Sequence, residues 1–202
     1  MQPNMYHDHA EAIITASQAT VFGYLDDQIH LEVHMEKPSM SLLGGRLTYE
    51  FDVAQCRAVG SVLRMGGSLL GILQFVEEVV TDRISPICKR WQPTGPQRML
   101  VIDSSVMAFE TRVIGEATAV RVFIDYQLPH SLSGRWLGLL FAPFYSRWCV
   151  SRMVKMPADT LAASPNPGWK HEAILSTSAF LQAPSEPCVA QSDKTQGRDI
   201  EM

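Results

Sequence analysis

The chain lacks the residue spacings that announce most metal, nucleotide and hydrolase sites. Its four cysteines, Cys56, Cys88, Cys149 and Cys188, stand far apart with no CxxC pair. Neither a zinc knuckle nor a disulfide framework is expected from them, and a reducing, cytoplasmic setting fits best. There is no GxSxG elbow, no phosphate-loop lysine motif and no GxGxxG entering a helix. Positive charge is short as well: 17 basic against 21 acidic residues leave a formal charge of −4. A nucleic-acid partner needs a concentrated basic surface, and none is expected here. No run approaches the roughly 18 apolar residues of a membrane span, and MQPNMYHDHAEAII lacks the basic-then-apolar order of a signal peptide. What remains is a globular chain. At 46% hydrophobic and 19% charged it is too apolar for a disordered one, and 202 residues suffice for one well-buried domain with an extension.

Local patterns set the order of elements. AEAIIT (Ala10 to Thr15) reads as a first strand, and Ser17 is placed to cap a helix carrying Val21, Phe22 and Leu25 on one face. A second short helix is expected over Gln28 to Met35. From Met40 the texture is that of strands. In RLTYEFDVA, Leu47, Tyr49 and Phe51 alternate with Thr48, Glu50 and Asp52, the period of a half-buried strand. Further strand-like runs follow, punctuated at Gly44-Gly45, Gly66-Gly67, Pro86, Gly95-Pro96, Gly115 and Pro129. Such spacing without intervening helices predicts an antiparallel meander of about six strands.

A long helix closes the series over Gly134 to Met156, the longest apolar-rich stretch. Trp136, Leu140, Phe144 and Trp148 stack at i, i+4, and Leu137, Phe141, Tyr145 and Cys149 form a second row beside them. Pro143 is expected to kink or break it. A sheet that buries one face needs a cover, and this helix is the obvious one. The fold class is α+β, a curved antiparallel sheet around a long C-terminal helix. The domain is expected to span residues 1–157. Residues 158–202, rich in Ala, Ser and Pro, read as a largely disordered tail whose AILSTSAFL patch offers a docking segment.

Several strings resemble the SRPBCC or START-like superfamily: ASQATVFGYLDD (Ala16–Asp27), GGRLTYEFD (Gly44–Asp52), VGSVLRMGG (Val59–Gly67), VEEVVTDRISP (Val76–Pro86), FIDYQLP (Phe123–Pro129) and GRWLGLLFAPFYSRWCVSRMV (Gly134–Val154). The resemblance covers about residues 8 to 157 and implies a helix-grip fold with a cavity between sheet and helix. It implies no particular reaction, because the superfamily holds catalysts and carriers alike.

Candidate site residues follow. If each strand turns its apolar face inward, Tyr49, Phe51, Leu63, Trp91, Val122 and Tyr126 converge on Trp136, Leu140 and Phe144, either as a ligand site or as a filled core. Glu77-Glu78 sits inside the apolar run QFVEEVV, so alternation turns one carboxylate inward. There it is either a general acid or base, or a group neutralised by Arg64, Arg90 or Arg121; a β-bulge at the repeated Glu would instead leave both carboxylates in solvent. His30 and His34 have the i, i+4 spacing of a metal pair but no evident third ligand, and no metal or cofactor is expected.

Three functions stay open. The first is binding of a small hydrophobic molecule (a lipid, a polyketide-like aromatic or an isoprenoid-like compound). The second is a polyketide cyclase or aromatase-like enzyme with Glu78, Tyr126 and Arg64 as catalytic candidates. The third is a protein-interaction module acting through the tail.

Overall fold

A computed structural model describes residues 4–28, 46–69, 72–95, 97, 99 and 101–162. Its strands are β1 (Tyr6–Ile14), β2 (Arg46–Phe51), β3 (Val62–Leu69), β4 (Ile72–Ile84), β5 (Cys88–Pro93), β6 (Ser104–Ile114) and β7 (Ala117–Gln127). Among the described residues two helices accompany them, α1 (Gln18–Asp26) and α2 (Leu132–Ala162). The expected second short helix, with His30 and His34, lies outside the described residues, as does the chain after 162.

The seven strands form one antiparallel sheet in the order β1-β7-β6-β5-β4-β3-β2. From β2 to β7 each strand pairs with the next in sequence, which is the expected meander. β1 returns to the far edge and pairs with β7 from Tyr6↔Tyr126 to Ile14↔Thr118. Between β6 and β7 only Gly115 and Glu116 make the turn, and Gly115 takes the left-handed φ of 58° that such a tight hairpin demands. Ser17 caps α1 as expected, its side-chain oxygen accepting from the Thr20 backbone N–H at 3.2 Å.

The core forms where α1 and α2 meet the inner face of the sheet. Val21, Phe22 and Leu25 of α1 pack with Val80, Trp91, Phe109, Val120, Val122, Ile124 and Tyr126 of the sheet, and with Ala142, Val150, Met153, Val154 and Met156 of α2. Each large apolar side chain buried there stabilises the fold by roughly 1.5–3 kcal/mol. A buried charge cluster fixes the end of α1. The Asp26 carboxylate accepts from Arg83 Nη2 at 2.8 Å and lies 3.0 Å from Lys89 Nζ, which also donates to the Asp26 carbonyl at 3.2 Å. Burial opposes ionisation of Asp26, but the Arg83 hydrogen bond and the Lys89 charge outweigh it and hold the carboxyl below its ordinary range. Lys89 is wholly buried, 0% exposed. Sequence reading had no access to this cluster, because its members lie up to 63 residues apart.

The long helix departs from expectation in both extent and facing. It continues past Met156 to Ala162, and its helical residues run without interruption through Pro143 and Pro157. Its buried side is Gly138, Ala142, Ser146, Cys149, Val150, Met153 and Pro157, a stripe at helical spacing that begins with small residues. Gly138 shows why: a Cβ there would stand 2.9 Å from both the Val101 carbonyl oxygen and Leu128 Cδ2. Trp136, Leu140 and Phe144 sit two positions off that stripe, about 200° round the helix. They are 75%, 70% and 75% exposed, so they do not converge on the sheet. Close approach of the helix to its support wins over burial of its bulkiest row.

Cys88 is disulfide-bonded, contrary to the expectation of no disulfide, whereas Cys56 and Cys149 are free and buried. Among the described residues no helix is long and apolar enough to cross a membrane.

Candidate functional site

The pair Glu77-Glu78 decides where chemistry is available. β4 alternates, with Val76, Glu78 and Val80 buried on the inner face. Its register shift falls between Val80 and Asp82, beyond the pair, so the alternation reaches both glutamates intact. Glu77 therefore faces outward. It accepts from Arg64 Nε at 2.6 Å and from the Thr94 hydroxyl at 2.6 Å. These two hydrogen bonds, Thr94 first, hold its carboxyl below the usual value. Arg64, directly opposite Glu77 in register, is exposed on that outer face. The expected role of Arg64 at an inner site gives way to a surface ion pair, because strand pairing carries it to the other side.

Glu78 is turned inward and is 7% exposed. Its register neighbours are Leu63 on β3 and Pro93 on β5, and neither answers a charge. Among the described residues no hydrogen bond or ion pair reaches its carboxylate, and burial alone pushes its pKa up to about 7. From α2, Tyr145 and Cys149 lie within electrostatic reach of it and hydrogen-bond each other. The negative charge that Cys149 acquires on ionising, followed by burial, keeps the Tyr145 phenol well above its ordinary range. Burial likewise drives the Cys149 thiol to about 12 and the Cys56 thiol to about 11, so neither is a nucleophile near neutral pH. Tyr49 of β2 interacts with Tyr145 as well.

The site gathered around Glu78 thus holds Tyr49, Leu63, Tyr145 and Cys149. Trp91 joins from β5 opposite Val80, and Phe51 from β2 opposite Leu63. Of the residues read from sequence, Tyr49, Phe51, Leu63, Trp91 and Glu78 come together on one half of the inner face. Val122 and Tyr126 lie in the core on β7, three strands from β4. Tyr126 stacks on Tyr6 with ring centroids 5.5 Å apart, close to Ser146 of α2. Beside it the Ser146 hydroxyl donates to Asp8 at 2.5 Å and Arg147 Nε donates to the same carboxylate at 3.1 Å. That arrangement docks α2 onto β1 and keeps Tyr126 away from Glu78. Tyr145 and Cys149 were missed as site residues, although both stood in the second helical row. Their signal was the position of that row on the flank of the buried stripe, which a single sequence does not reveal.

For metal binding, no group of three His, Cys, Asp or Glu side chains converges among the described residues.

No family model and no curated protein matches the chain. Solved structures do. A protein from Thermus thermophilus matches at 18% identity and a TM-score of 0.57, over 78% of this chain and 98% of its own. Truncated norcoclaurine synthase from Thalictrum flavum matches at 13% identity and 0.57, over 82% and 98%. BexL, a di-domain aromatase/cyclase from the BE-7585A biosynthetic pathway, matches at 14% and 0.57, over 80% of this chain and 51% of its own, about half of a two-domain protein. At these identities the likeness is one of fold.

Proposed function

From the helix-grip, START-like fold of this chain, we propose that the protein binds a small, mostly apolar molecule between the inner face of the sheet and α2. The observation that carries this reading is Glu78, buried on that face with no partner among the described residues. A carboxylate largely removed from water without a hydrogen bond costs folding free energy, and a ligand that supplies the missing contact recovers it as affinity. Around it Tyr49, Phe51, Leu63 and Trp91 offer the apolar and aromatic lining of a typical small-molecule site. Lipids, polyketide-like aromatics and isoprenoid-like compounds are the ligand sets to screen.

The test is native mass spectrometry of gently purified protein, with organic extraction of bound material. A reproducible adduct that Leu63→Trp displaces by filling the site supports the reading. A clean apo mass, with no gain on exposure to those three ligand sets, defeats it.

A second reading is an enzyme resembling a polyketide cyclase, favoured by a Glu78 carboxyl poised to exchange protons near neutral pH. In it Glu78 acts with Tyr145 nearby, since Arg64 and Tyr126 are held elsewhere. Glu78→Gln should then abolish turnover of a bound substrate while leaving its affinity within a few-fold. The interaction reading depends on residues past 162, outside the described part of the chain.

A further inference from the structure

We propose that the molecule held beneath α2 carries a basic nitrogen: an apolar body ending in a protonated amine that pairs with the Glu78 carboxylate. The inference rests on the ligand-binding reading above and narrows its chemistry.

Among the described residues, the groups within electrostatic reach of Glu78 are all able to lose a proton, and none brings a positive charge. Tyr145 and Cys149 of α2 and Cys56 of the β2–β3 connection lie within electrostatic reach of it, and Tyr49 of β2 lies within electrostatic reach of Tyr145. Leu63 and Pro93 flank it on β3 and β5. The cations that might have answered it are engaged elsewhere. Lys89 is bound to Asp26 at 3.0 Å, and Arg64 to Glu77 at 2.6 Å on the opposite side of the sheet. Phenols and thiols are neutral donors, so a ligand ending in a hydroxyl would duplicate what the site already has. What the site lacks is a countercharge. An anionic ligand would meet like charge, and a pure hydrocarbon would leave the carboxylate without a partner. An ammonium supplies that partner. The aromatic rings of Tyr49 and Tyr145 add π systems, which attract organic cations, whereas the Trp91 ring already has Lys89 Nζ 5.9 Å from its centroid.

The experiment uses the full chain and two probes matched in size, 4-phenylbutylamine and 4-phenylbutan-1-ol, titrated calorimetrically from pH 6 to pH 8. The amine should bind about tenfold or more tightly than the alcohol at pH 8. Its affinity should fall about tenfold by pH 6, because the ionised fraction of Glu78 drops from about 0.9 to about 0.1 across a pKa of about 7. The alcohol should move little, since the neighbouring thiols and Tyr145 titrate far higher. Glu78→Gln should erase both the preference and the pH dependence while the alcohol still binds. Equal affinities for the two probes, or amine binding that strengthens as pH falls, would overturn the amine inference and leave the ligand-binding reading standing. Failure of both probes to bind at any pH would overturn the two together. Should Glu78→Gln fail to fold, the wild-type pH series decides alone.

Discussion

Glu78 also leaves a signature in stability that needs no ligand. In an unfolded chain its carboxyl titrates near its ordinary value of 4.5, whereas burial raises it to about 7 in the fold. The folded state therefore holds its proton more tightly than the unfolded one. The associated stability is fully present below pH 4.5 and is lost as pH rises through 7. A shift of this size corresponds to about 3 kcal/mol between those limits. The difference in unfolding free energy between Glu78→Gln and the wild type should thus grow in favour of the variant from pH 5 to pH 8. Urea denaturation at several pH values measures it. A difference that stays flat across the range would mean that Glu78 has a partner or meets water. Glu77 behaves in the opposite sense. Its carboxyl is held low by Thr94 and Arg64, but it is exposed, and Arg64→Ala should alter stability little.

At the scale of the element, α2 separates what a sequence can say from what it cannot. Helical periodicity identified the helix, and period-two alternation identified RLTYEFDVA and QFVEEVV as strands with the sides of Glu77 and Glu78 fixed relative to each other. Which side faced inward was not legible, because the answer depends on whether a bulge falls before or after the pair. The helix posed the same problem in another form. Two apolar rows competed for the sheet, and the smaller residues took it because Gly138 and Ala142 admit the contact that Trp136 and Phe144 would block. The facing has a direct test by chemical denaturation. Trp136→Ser and Phe144→Ser should each change stability by no more than about 0.5 kcal/mol, as expected at exposed positions. Ala142→Leu, by contrast, should cost about 1–3 kcal/mol through overpacking. Losses of several kcal/mol for the first two would place that row against the core and reverse the orientation of α2.

For the molecule as a whole, the order of elements was enough to foresee the helix-grip arrangement, since a meander with one buried face and a single late amphipathic helix admits few other solutions. The boundary of the folded unit was less legible, because Pro157 followed by polar residues reads as a stop. In the fold, Pro157 is buried inside α2, and Ala158 and Leu161 pack against the core beyond it. Thr160 reaches back to the Tyr24 hydroxyl at 3.1 Å and links the end of α2 to α1. The folded unit therefore needs the last turn of the helix. A chain ending at residue 162 should keep cooperative unfolding, whereas one ending at 157 should lose about 1–2 kcal/mol from the unburied Leu161 alone, and more as the helix end frays. Thermal unfolding of both truncations under reducing conditions, which treat Cys88 alike in each, makes the comparison. If the two melt together, the last turn adds nothing to the domain. If the 162-residue chain fails to fold, the unit extends into the segment after α2.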